Sequence, residues 1–249
     1  MRTMIKQPGA KGALVQRDAA IHPPALAPGY KTSILRSPRM APISFDASPT
    51  EATGPVFGPD AVGPGDDDLL TNYAVPGESA IGPRIVVMGR LLDGSGRPVP
   101  HALIEVWQAN AGGRYRHKRD GYLAALDPNF GGCGRCLTDA EGWYSFRSVQ
   151  PGAYPWPNRA NDWRPAHIHF SVFGEAFAQR LITQMYFEGD PLIPHCPILN
   201  AVPDAAAVDR LVARLDRSAT IPMDACAWRF DIVLRGRRQT PFENRMEGL

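Results

Sequence analysis

The chain has 249 residues, a formal charge of +2 at pH 7 and 44% apolar residues. That length and apolar content suit one large β domain or two small ones, and the near-balanced charge argues against a nucleic-acid partner or a membrane surface. Met1 to Pro24 has no apolar leader-type core, and no run of about 18 apolar residues occurs anywhere, so the chain reads as soluble and cytoplasmic.

Residues 1 to about 80 are punctuated by Pro23-Pro24, Pro28-Gly29, Gly54-Pro55, Gly58-Pro59 and Gly63-Pro64-Gly65, which predicts an extended arm. Tyr30, Ile34, Leu35, Ile43, Phe45, Phe57, Leu69 and Leu70 make this stretch too apolar for a solvated tail. An arm lying on another surface satisfies both features. From Arg84 the pattern changes to strands. Ile85 to Leu92, His101 to Trp107, Trp143 to Val149, His167 to Phe173, Arg180 to Phe187 and Trp228 to Leu234 are separated by turns such as Asp93-Gly94-Ser95-Gly96 and Asp139-Ala140-Glu141-Gly142. Short strands with Gly-rich turns predict a mainly β domain over 81–249, an antiparallel β-sandwich. One short helix is expected after Pro203, where Val208, Leu211, Val212 and Leu215 fall at helical spacing. Segments 108–135 and 150–165 read as long loops, the usual carriers of function on a rigid sandwich.

His167 and His169 lie in an alternating run, so on a strand both imidazoles point to one face while Ile168, Phe170 and Val172 face the core. Such a pair is half of a metal site, although isolated pairs are often merely solvated or hydrogen-bonded. Phenolate oxygens of Tyr115 and Tyr154 could complete it. Two imidazoles with two phenolates form a hard, anionic donor set that suits ferric iron better than zinc. Coordination lowers a phenol pKa far below its free value of about 10. Cys133 and Cys136 form a lone CxxC in a Gly-rich loop without a second pair or a βαβ context, and read as ordinary reduced cysteines. Arg114 to Arg119 is a basic cluster, either a solvated loop or an attractor for an anionic aromatic acid. His22, His101 and His195 have no companions and read as structural or exposed.

Trp107 to Phe187 resembles the intradiol ring-cleaving dioxygenases, and specifically their iron-bearing subunits that act on protocatechuate. The motifs are Val106 to His117, Asp127 to Gly132, Pro151 to Trp156, Asn161 to Phe170, Leu181 to Leu192 and Phe230 to Gly236. The resemblance implies Fe(III) held by Tyr115, Tyr154, His167 and His169, with Tyr154 and His169 axial and hydroxide as a fifth ligand. It implies cleavage of protocatechuate by O₂ to 3-carboxy-cis,cis-muconate, during which Tyr154 leaves the iron and takes a substrate proton. It further implies that Arg164 stabilises charge on the substrate ring, that Gln184 hydrogen-bonds near the iron, and that Tyr30 and Trp156 line the substrate pocket. The implied partner is a homologous alpha subunit, in αβ protomers of a larger symmetric assembly. Cleavage of catechol or hydroxyquinol with the same ligands remains open, as does a metal-free transthyretin-like binding or scaffold subunit, because Gly89 to Ala102 also suits that fold.

Overall fold

Alternation of inward and outward residues shapes the first and fourth strands. In β1 (Arg84–Leu92), Ile85, Val87 and Leu91 turn inward while Val86, Met88 and Arg90 are partly exposed. β4 (Trp143–Val149) buries Tyr144 and Phe146 and exposes Trp143, Ser145 and Arg147. The computed structural model describes residues 27–31, 62–174 and 180–241. The expectations for His22, Ile34, Leu35, Ile43, Phe45 and Phe57 lie outside those residues.

The remaining strands are β2 (Leu103–Gln108), β3 (Cys133–Leu137), β5 (Tyr154–Pro155), β6 (Trp163–Arg164), β7 (His167–Phe173), β8 (Arg180–Phe187), β9 (Val212–Ile221), β10 (Ala225–Arg229) and β11 (Ile232–Val233). Among the described residues, nine of the eleven strands, β1 and β4 included, share one sheet, in the order β11-β1-β10-β9-β8-β7-β2-β3 with β4 paired to β1, while β5 and β6 pair with each other. β3 and β4 also approach each other, so the sheet is nearly closed. The mainly β expectation holds. The sheet is not wholly antiparallel, however: β1 runs parallel to β10 and β11, and β8 runs parallel to β9.

Among the described residues one large core fills the interior, beside two smaller clusters. Ile104, Ile168, Phe170 and Val172 are all fully buried, each worth about 1.5–3 kcal/mol of transfer free energy. Leu69 and Leu70, which the sequence assigns to a partner-facing arm, belong to this same core. The amide of Leu69 donates to the Arg147 carbonyl at 2.9 Å, which ties that stretch to β4. Among the described residues no helix is long and apolar enough to cross a membrane.

Three local expectations are corrected. The helix after Pro203 is only α1 (Ala205–Asp209), capped by the Asp204 side chain accepting from the Ala206 amide at 2.9 Å. Val212 and Leu215 lie instead on β9. The amides of Tyr186 and Glu188 donate to the carbonyls of Leu211 and Ala213, an alternate-residue pattern that extended backbone presents and a helix does not. Trp228 to Leu234 is two strands in a common register with β1, interrupted at Phe230 and Asp231. There the Asp231 carboxylate accepts from the Arg90 amide at 2.8 Å. The Phe230 carbonyl presses on Gly89, where a Cβ would stand 1.8 Å from that oxygen. Finally, Cys133 and Cys136 lie on β3 and not in a loop, with Cys133 exposed and Cys136 buried. Their odd spacing sends the two thiols to opposite faces.

Candidate metal centre

β7 carries both histidines on one face, as alternation requires. The register with its neighbours sets the surroundings: Trp107 on β2 lies opposite His169, and Gln184 and Tyr186 on β8 lie opposite His169 and His167. The Trp107 indole stacks on the His169 ring, with centroids 4.8 Å apart and planes at 9°. The Nδ1 of His167 is 2.7 Å from the Pro165 carbonyl oxygen. A carbonyl only accepts, so Nδ1 bears the proton and Nε2 offers a lone pair. Burial drives the His167 pKa well below its usual value, reinforced by Arg164 and His169, so the ring is neutral near pH 7.

Tyr115 lies beyond β2, on a loop, and Tyr154 begins β5. The Tyr115 hydroxyl is 3.1 Å from Nε2 of His169 and 3.4 Å from Nε2 of His167. The Tyr154 hydroxyl is also 3.4 Å from Nε2 of His167. Two tyrosines and two histidines distant in sequence thus converge on one point. Contacts of 3.4 Å are long for hydrogen bonds, but ordinary for donors that share an ion at roughly 2 Å from each. Among the described residues no three His, Cys, Asp or Glu side chains gather as a metal site. The donor set is therefore two imidazoles and two phenols, and it fits a hard trivalent cation such as Fe(III).

A second layer of buried polar groups stands behind this cluster. In the β5–β6 ladder Tyr154 is opposite Arg164. Arg164 is 4% exposed. Its Nη2 donates to Oε1 of Gln184 and, at 3.0 Å, to the Tyr186 hydroxyl. That hydroxyl in turn donates to Gln184 Oε1 at 2.7 Å. Burial opposes the Arg164 charge, yet Tyr186, Cys196, Tyr154 and Tyr115 together raise its pKa above the ordinary guanidinium value. Arg164 Nε and Gln184 Nε2 are buried donors without a hydrogen-bond partner, a costly condition that a bound anionic ligand would relieve. The Arg164 guanidinium lies 5.6 Å from the centroid of Trp156, and Trp156 lies 5.1 Å from the ring of Tyr30. The eight residues singled out in the sequence therefore form one continuous neighbourhood.

Sequence reasoning missed Tyr186, Trp107 and Asn110. Tyr186 carried a usable signal, because it is two residues from Gln184 on a strand and so shares its face. Segment 150–165 is not pure loop but contains the β5–β6 ladder. In the basic cluster, Arg114 donates to the carbonyls of Ala124 and Asp120. Arg116 donates to those of Phe130 and Asp127, and its guanidinium lies 4.7 Å from the Tyr73 ring centroid. Both are loop braces.

The chain is similar to known proteins over most of its length. A family profile described as "Dioxygenase" matches residues 52–236. A second, described as "Protocatechuate 3,4-dioxygenase beta subunit N terminal", matches residues 15–48. The chain is 51% identical to the protocatechuate 3,4-dioxygenase beta chain of Burkholderia cepacia over 230 residues, which is 92% of this chain and 97% of that one. It is 32% identical to the alpha chain of the Pseudomonas putida enzyme, over 71% of this chain and 83% of that one. Among solved structures, 3-chlorocatechol 1,2-dioxygenase from Rhodococcus opacus 1CP superposes with a TM-score of 0.50 at 26% identity, covering 72% of this chain and 69% of that one.

Proposed function

The chain belongs to the intradiol ring-cleaving dioxygenase family, and from that premise we propose that it uses Fe(III) held by Tyr115, Tyr154, His167 and His169 to cleave protocatechuate with O₂. The product is 3-carboxy-cis,cis-muconate, and both oxygen atoms enter it, so no external reductant is required. The observation that carries this reading is the convergence of two phenol oxygens and two imidazole nitrogens, linked by the Tyr115–His169 contact at 3.1 Å and the Tyr115–His167 and Tyr154–His167 contacts at 3.4 Å.

When bound, ferric iron supplies a Lewis-acid centre that takes up the catecholate and draws electron density from it, activating the ring toward O₂. The protein's own groups do the rest. His167 and His169 are held by the Pro165 carbonyl and the Trp107 ring, so the imidazoles need no reorganisation when substrate arrives. Tyr154 lies opposite Arg164, and its phenolate oxygen would accept a catechol proton. Arg164 stays charged in a water-poor setting and stabilises negative charge spreading onto the ring. Gln184 and Tyr186 hold its guanidinium plane. Trp156 and Tyr30 supply an aromatic wall for a planar substrate.

The match of residues 15–48 to a beta-subunit profile favours protocatechuate over catechol or hydroxyquinol. A homologous alpha subunit as partner belongs to the same reading, supported by the likeness to both a beta and an alpha chain. The amino-terminal arm is its proposed contact. Metal analysis of purified protein, with oxygen uptake on protocatechuate, catechol and hydroxyquinol, tests this directly. Stoichiometric iron with uptake fastest on protocatechuate is expected. A colourless zinc protein, active in that form, would overturn it.

A further inference from the structure

We propose that Asn110 is a positioning residue that locks the Tyr115 loop to the Tyr154 loop and thereby sets where the two phenol oxygens stand relative to His167 and His169. The proposal rests on the metal-binding reading above. Neither tyrosine is on the main sheet. Their 39-residue separation (154 − 115) leaves their relative placement to loop contacts.

Asn110 follows β2 by two residues and is 5% exposed. Its Oδ1 accepts from the amides of Gly112 and Arg114, both at 2.9 Å. Its Nδ2 donates to the Ala125 carbonyl at 2.9 Å. Its main-chain carbonyl accepts from the amide of Gly113 at 2.9 Å and from that of Gly152 at 3.0 Å. The carboxamide therefore bonds the amide just before Tyr115 and fixes the 110–114 turn, and the main-chain carbonyl carried by that turn bonds the amide two residues before Tyr154.

Two glycines make this close approach possible. Gly113 has φ +81°, and a Cβ there would stand 2.3 Å from the Ala153 carbonyl oxygen. A Cβ on Gly152 would stand 2.5 Å from both the Ala111 oxygen and the Gly113 nitrogen. The two loops touch backbone to backbone, and Asn110 pins the junction. The carboxamide bonds only main-chain atoms, so its effect on the phenols is indirect. An outer group that orients a metal ligand typically governs about 10- to 100-fold in metal affinity.

The test uses the full chain and three variants. Asn110→Ala removes the carboxamide bonds, Asn110→Asp keeps an acceptor toward Gly112 and Arg114, and Gly152→Ala drives the loops apart from the other side. Thr138→Val is the control. Thr138 is likewise buried and bonded, to the Ala102 amide and the Val99 carbonyl, but at the far end of β2. The readouts are Fe(III) retention against a chelator, the visible tyrosinate-to-iron band, and the melting temperature of the iron-free protein.

Asn110→Ala and Gly152→Ala are expected to shift the band and weaken iron retention about 10- to 100-fold. Asn110→Asp should restore the parent band. Thr138→Val should lower the melting temperature while leaving band and retention unchanged. A parent-like band and retention in Asn110→Ala, or an equal spectral change in Thr138→Val, overturns the proposal. If Asn110→Ala fails to fold, Gly152→Ala decides, and a parent-like band there overturns it equally. A parent chain that binds no Fe(III) sinks the metal reading and this proposal together, whereas a coloured parent with an indifferent Asn110→Ala sinks this proposal alone.

Discussion

Tyr154 and Arg164 face each other across a ladder of only two residues per strand. That pairing sets the Tyr154 phenol on the strand opposite a buried cation. It also links the donor cluster to the Gln184–Tyr186 layer, so the proposed base and the proposed charge-stabilising group share one two-stranded unit.

Tyr154→Phe should retain iron, because three donors remain, yet slow substrate binding and turnover. Loss of a positioned base typically costs about 10²- to 10⁴-fold. Anaerobic stopped-flow mixing with protocatechuate measures the binding step, and a parent-like rate would remove Tyr154 from the role of base.

Tyr115→Phe and His167→Ala remove donors that contact more than one partner in the cluster. Both should lose most iron and with it the broad visible absorption and reddish colour. Iron content and spectrum together check this, and full iron with an unchanged band in either variant would contradict the ligand assignment.

Arg164→Met should keep the iron and the resting spectrum but lower kcat by about 10²- to 10³-fold, the usual cost of losing one preorganised charge-stabilising group. Steady-state kinetics alongside metal analysis separates this from collapse of the site. An unchanged kcat would reduce Arg164 to a structural role.

The iron-free protein should lose stability as the solution is acidified. His167 has a folded-state pKa below its unfolded value, so the unfolded chain binds the extra proton first. The stability is therefore complete above about pH 6.5 and declines as pH falls toward the folded value, by at most about 1.4 kcal/mol per pH unit from this group. Urea unfolding across pH 5–8 with His167→Gln as reference should show a shallower slope in the variant; identical slopes would assign the effect elsewhere.

Cys133 and Cys136 should not form a disulfide with each other. Three residues of strand separate their Cα atoms by about 10 Å, beyond the roughly 7 Å that a bridge tolerates. Burial also pushes the Cys136 thiol up to about 12, so it should resist alkylation in the native protein at pH 8. Mass spectrometry after mild oxidation and native alkylation tests both statements, and an intramolecular 133–136 bridge would contradict the strand assignment.

The chain's own pattern determines what is local. The period-two alternation around His167 and His169 puts both imidazoles on one face, and the apolar residues between them reach the core, because strand geometry depends only on near neighbours. Turn residues and alternation likewise mark most strands. Where two periods fit the same residues, local pattern fails. Val208, Leu211, Val212 and Leu215 satisfy a helical spacing, but parallel pairing with β8 draws Val212, and antiparallel pairing with β10 draws Leu215, into β9. Resemblance to a known family singled out Tyr115 and Tyr154, but their meeting is not a local property. Tertiary structure decides it, because the loops carrying them meet through the bond between the Gly152 amide and the Asn110 carbonyl and through the Gly113 and Gly152 contacts, between residues about 40 apart along the chain.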